Sequence, residues 1–101
     1  MKVYIAGPVT HATPEQLDNF KACGKWWKSQ KLHHYIDPVE KVRNVLGENA
    51  SHDAAMKVCL KELLNCDAIC MLPGWEDSDG ACLEYQCAVA VGMPVILWGG
   101  V

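Results

Sequence analysis

The run DAICMLPGWEDSDGACLEYQCAVAVG, residues 67–92, decides the fold. Residues 68–72 are continuously apolar, the pattern of a short strand buried on both faces. Pro73 and Gly74 end it, and a polar, Gly-containing turn leads into a helix expected over 79–92. That helix is apolar almost all round, so it needs cover on more than one side. Strand, turn and helix in this order form half of a βαβ crossover. One carboxylate, Glu84, stands inside the helix. On a 3.6-residue wheel it falls with Ala81, Ala88 and Val91, away from any polar face. An ionised carboxylate on an apolar stripe is costly unless a partner holds it there, which makes Glu84 the residue to explain.

Outward from this run the alternation of strand and helix continues. Val3 to Ala6 reads as a short buried strand ended by Gly7-Pro8. Thr13 is an N-cap and Pro14 a first helical residue. The helix runs to about Gln30, with Leu17, Phe20, Cys23 or Gly24, and Trp27 on one face. His33 to Ile36 forms a second strand, ended by Asp37-Pro38. Residues 39–50, with Asn44, Gly47 and Asn49, read as a loop holding at most a helical turn. Ser51 or His52 opens a helix to about Asn65, with Met56, Leu60, Leu63 and Leu64 inward. Residues 94–98 supply the last strand. The expected fold is therefore α/β, a three-layer flavodoxin-like (Rossmann-like) sandwich with a parallel sheet of four or five strands, most simply in the order 2-1-3-4. Ligands in such sheets bind at the carboxyl ends of the strands, where the order reverses. Two turns meet there, 7–13 and 73–80.

At 101 residues the chain is expected to be one domain, 1–101. Half of its residues are hydrophobic and 21% are charged, the composition of a folded chain. The apolar excess suggests that some of it meets a partner chain. A net charge of −3 argues against a binder of nucleic-acid polymers. Lys21, Lys25, Lys28 and Lys31 recur at helical spacing, which reads as a solvated face. The six cysteines include no CxxC pair and lie mostly in apolar runs, where Cys acts as a small hydrophobe. This implies no zinc or other metal and a reducing, cytoplasmic compartment. No leader is seen before the first strand, and no apolar run approaches the roughly 18 residues of a membrane span.

The turns carry the chemistry. The first is neither GxGxxG nor a P-loop. Gly7 still lets a ligand approach the backbone, and Pro8 to Thr10 can offer a hydroxyl and amides to a sugar or phosphate, or form an ordinary turn. In the second, Ser78 caps the helix or presents its hydroxyl to an anion beside Gly80. Trp75 suits stacking on a base, or packing on its own loop. Glu84 is either a structural tie, bonded to Tyr4 or to backbone, or a nucleophile. A carboxylate in a semi-apolar crevice can trap the oxocarbenium-like carbon formed as an N-glycosidic bond breaks. A second acid must protonate the departing base.

The chain resembles the nucleoside 2-deoxyribosyltransferase superfamily, and within it a small DUF4406-type branch found in phage and bacterial genomes. The resemblance rests on Tyr4-Ile5-Ala6-Gly7-Pro8, on Asp37-Pro38, on residues 64–76 and on Ser78, Gly80, Ala81, Leu83-Glu84 and the helix end that follows. It implies that Glu84 is the nucleophile, forming a deoxyribosyl-enzyme at C1′, and that Tyr4 orients it. Water or a second base then completes hydrolysis or base exchange on a 2′-deoxynucleoside or its 5′-monophosphate. Ser78 resembles the serine of the deoxynucleoside 5′-monophosphate N-glycosidases, which implies a nucleotide substrate. The resemblance implies no cofactor and a homo-oligomer whose pocket is completed by a neighbouring chain. Cys59 stands where the superfamily carries an Asp serving the leaving base, leaving Glu76, Asp77, Asp79 and His52 as alternatives. Asp67 reads as structural. The competing reading is a non-catalytic nucleotide-binding or sequestering protein that retains the pocket.

Overall fold

A computed structural model describes residues 1–31 and 34–99. Its elements are β1 (Lys2–Ala6), α1 (Pro14–Ser29), β2 (His34–Ile36), α2 (Pro38–Leu46), α3 (His52–Leu64), β3 (Ala68–Met71), α4 (Asp79–Ala90) and β4 (Val95–Leu97). The strands form one parallel sheet in the order β2-β1-β3-β4, as the right-handed crossover rule led us to expect. Tyr4 lies level with Ile36 on one side and Ile69 on the other, and Ile69 with Val95. His33, expected to begin β2, lies outside the described residues.

The side-chain period of two splits the central strands between two cores. Val3, Ile5, Ala68 and Cys70 meet Phe20, Cys23 and Trp27 of α1. Tyr4, Ala6, Ile69 and Met71 meet Cys59 and Leu63 of α3 and Ala88 of α4. The layers are thus α1, the sheet, and α3 with α4, while α2 packs beside α3.

Helix starts follow local chemistry. Thr13 Oγ1 accepts from the Gln16 N–H at 3.1 Å, and Gln16 Oε1 accepts from the Thr13 N–H, a full capping box. Ser51 and Ser78 cap α3 and α4. Leu17, Leu64 and Val91 are exposed, against expectation, because each sits at the margin of its stripe and a single sheet does not reach that far round the helix.

The larger correction is α2, where the sequence was read as a loop. Asp37 accepts from the N–H of Val39 and Glu40, Pro38 fills the first helical position, and Gly47 closes the helix at φ 83°. Asn44 lies on its exposed side, and Gly47 and Asn49, which also suggested a loop, fall beyond its last residue.

Gly24 gives a sign test of packing. In a helix interior, Gly→Ala ordinarily stabilises by about 1 kcal/mol. A Cβ on Gly24 would stand 2.9 Å from Tyr35 Cε2, across the α1–β2 contact. Gly24→Ala is therefore expected to destabilise, by about 1–2 kcal/mol in chemical denaturation. A stabilised variant would show that the Tyr35 ring yields freely.

Candidate active site

The carboxyl ends of β1 and β3 open onto a cavity of about 830 Å³. Its roof is the β1–α1 turn, with Gly7, Pro8, Thr10 and His11. One side is α2, through Pro38, Val39, Val42 and Arg43; the other is the turn before α4, through Gly74, Ser78 and Gly80. Ala55, Met56 and Cys59 of α3 and Glu84 of α4 complete the lining. The two turns are locked together. A Cβ on Gly7 would lie 2.9 Å from Leu72 Cβ, so only glycine lets the strand ends close at this point. Gly74, at φ 86°, brings the second turn against Pro8 and Gln16.

Glu84 is 5% exposed, the one buried charged side chain among the described residues. It stands between Ala81 and Ala88 on the buried face of α4, as its position on the helical wheel required. The Tyr4 hydroxyl, fully buried on β1, donates a hydrogen bond to Glu84 Oε2. Burial pushes the Glu84 carboxyl from the ordinary 4.5 up to about 7, while the Tyr4 hydrogen bond opposes the rise. Burial, and then the facing Glu84 charge, hold the Tyr4 phenol well above its usual range. The Cys59 thiol lies beside this pair and is pushed up in turn, chiefly by burial. The site therefore presents a buried carboxyl group held by a phenol, with a thiol beside the pair.

Of the residues singled out from sequence, Gly7, Pro8, Thr10, Ser78, Gly80 and Glu84 line the cavity, and Tyr4 reaches it through Glu84. Ser78 Oγ accepts from the Ala81 N–H at 3.2 Å, capping α4. Trp75 does not line the cavity; its ring stacks on Tyr85 at 4.8 Å. The ring thus packs on α4 rather than on its own loop, and the base-contact role is left without geometric support. Asp77, Asp79 and His52 line the cavity, and Glu76 does not. Asp67 accepts from the Lys2 N–H at 2.8 Å and ties β3 to β1. The reading from sequence missed His11 and the α2 wall. The wall was detectable in Asp37-Pro38 followed by Glu40, a helix-start pattern, with Val39 and Val42 at helical spacing.

Comparison with known proteins follows the geometry. Residues 1–97 match the family model described as Domain of unknown function (DUF4406). No curated protein matches the chain. A 2-deoxyribosyltransferase from Bacillus psychrosaccharolyticus superposes with TM-score 0.73 at 23% identity, over 96% of this chain and 71% of that one. A 2-desoxiribosyltransferase from Leishmania mexicana superposes with TM-score 0.70 at 17% identity, over 96% of this chain and 63% of that one. At these identities the likeness is one of fold. The chain belongs to the DUF4406 family and has the fold of the 2-deoxyribosyltransferases.

Proposed function

We propose that the protein cleaves or exchanges the N-glycosidic bond of 2′-deoxynucleosides or their 5′-monophosphates, through a covalent deoxyribosyl intermediate on Glu84. One observation carries the reading: a buried carboxylate, oriented by Tyr4, opens onto a nucleotide-sized cavity. An ionised Glu84 attacks C1′ as the base departs, and water or a second base then releases the sugar. The Gly7–Thr10 turn cradles the sugar, and Ser78 with the α4 amides receives the 5′-phosphate. The fold shared with 2-deoxyribosyltransferases supports the same chemistry. Residues 1–101 act in this reading as one catalytic domain.

Incubation with a panel of deoxynucleosides and deoxynucleotides, followed by chromatography for free base, tests the proposal. Release from at least one member, lost in Glu84→Ala, is the expected result. Tight nucleotide binding without release would favour a sequestering protein, a reading supported by the thiol of Cys59 beside the nucleophile. Ser78→Ala separates the substrate classes. It is expected to cost about 1 kcal/mol of stability as a lost cap. It should also raise KM for the monophosphate about tenfold, with little change for the nucleoside. Equal effects on both would place the phosphate elsewhere.

The assembly is proposed to be a homo-oligomer. Leu83 and Val89 of α4, Val91 just past its end, and Val95 and Leu97 of the edge strand β4 are exposed, which supports a partner there. Among the described residues no helix is long and apolar enough to cross a membrane.

A further inference from the structure

Breaking the C1′–N bond leaves an electron pair on the base, and a well-placed acid accelerates that step by about 10²–10⁴-fold. The two groups nearest Glu84 do not serve. The Tyr4 hydroxyl is committed to the carboxylate, and the Cys59 thiol is buried and pushed up. The other ionisable side chains on the cavity are His11, His52, Arg43, Glu48, Asp77 and Asp79, of which Glu48 is 81% exposed and engaged by Arg43. Arg43 pairs with Glu48 at 3.9 Å, and a guanidinium does not release its proton. Asp77 and Asp79 flank Ser78 at the N-terminus of α4, the end of the cavity that the reading above gives to the 5′-phosphate rather than to the base.

Two histidines remain, and backbone geometry separates them. His52 is the first residue of α3, in ordinary helical conformation. His11 has φ 59°, the only positive value at a non-glycine residue among the described residues. That conformation is uncommon and costs energy, and it persists where the surroundings fix it. A turn closed from the Ala12 N–H to the Val9 carbonyl at 3.2 Å holds it. The preceding Gly7 and Pro8 are buried. The loop is thus anchored directly to β1, the strand that carries Tyr4, and it leaves the imidazole exposed at the cavity.

We infer that His11 is the acid that protonates the departing base, an assignment that rests on the glycosidic reading above. The protonated imidazole gives its N–H proton to a ring nitrogen or carbonyl oxygen of the base. The C1′–N bond breaks with its electron pair leaving on the base, and a Glu84 oxygen bonds to C1′. Neutral His11 then takes a proton from the water, or from the incoming base, that attacks C1′ and frees Glu84.

The test compares the deoxynucleotide released fastest with its N-methylated form, whose cationic base departs without taking up a proton. His11→Asn suits the site because asparagine tolerates positive φ, and circular dichroism checks its fold. The variant is expected to lower release of the ordinary base about 100-fold and of the cationic base by no more than about threefold. Equal loss on both substrates would make His11 a structural or binding residue and overturn the assignment. So would wild-type rates in His11→Asn, or a selective loss in His52→Asn instead. Free imidazole restoring His11→Gly would support the assignment independently. If the wild type releases base from neither substrate, the glycosidic reading falls first and this inference with it.

Discussion

Glu84→Gln is expected to stop base release and, at pH 8, to leave the protein more stable than the wild type. Loss of the nucleophile should lower turnover by about 10⁴-fold or more, equivalent to at least about 5 kcal/mol of barrier. The gain in stability follows from the raised carboxyl. Its folded value is about 7 against an ordinary 4.5, so the folded state prefers the protonated form. Below pH 4.5 the wild type bears no penalty. Between 4.5 and 7 the unfolded chain ionises first and stability falls. Above 7 the full cost of a buried charge is present, up to about 3 kcal/mol. Glutamine does not titrate, so that pH dependence should vanish in the variant. Denaturation midpoints at pH 4, 6 and 8 check this. A variant no more stable at pH 8, with the wild-type slope retained, would show that another group carries the penalty.

Tyr4→Phe is expected to shift the same equilibrium in the opposite sense. The phenol is the one group that lowers the Glu84 carboxyl against the effect of burial, and phenylalanine keeps the ring while deleting the donor. The acidic limb of the pH–rate profile should therefore move from about 7 to higher pH. A hydrogen bond to a charged group is worth about 1.5–3 kcal/mol, so turnover at pH 7 should fall by about 10–100-fold, with part recovered near pH 9. An unshifted limb with uniformly reduced turnover would mean that Tyr4 only fills space. Serine or cysteine cannot substitute, because neither fills the buried ring's volume between the sheet and α3.

The central architecture was legible because its signals were local. Continuous apolar runs marked β1 and β3, Thr13-Pro14 and Ser51 marked helix starts, and crossover handedness then left one simple strand order. Glu84 was legible for the same reason: a carboxylate between Ala81 and Ala88 contradicts its own helical stripe. The helix α2 was only weakly legible: Asp37-Pro38 marks its start, but its apolar side is short and its capping residues also occur in loops. Trp75 shows the other kind of failure. Its residue type suits a base equally well as a neighbour, and only the position of Tyr85, fixed by the tertiary fold, decides between them. His11 carried no sequence signal, since a positive φ at a histidine is imposed by the surrounding turn.

The bond between Tyr4 and Glu84 joins residues 80 positions apart. Between them lie β2 and β3, and the middle of the sheet closes only when β3 lies down beside β1, which carries Tyr4. Contacts of this separation form late, after the entropy of the intervening loop has been overcome. During synthesis, β1 must therefore wait for β3 to emerge, and Glu84 enters its pocket later still. A partly folded or locally opened chain has a solvated glutamate with an ordinary carboxyl and no aligned phenol. The proposed reactivity towards a sugar carbon is therefore in effect a proofreading of the fold, available only to molecules whose two distant halves have met.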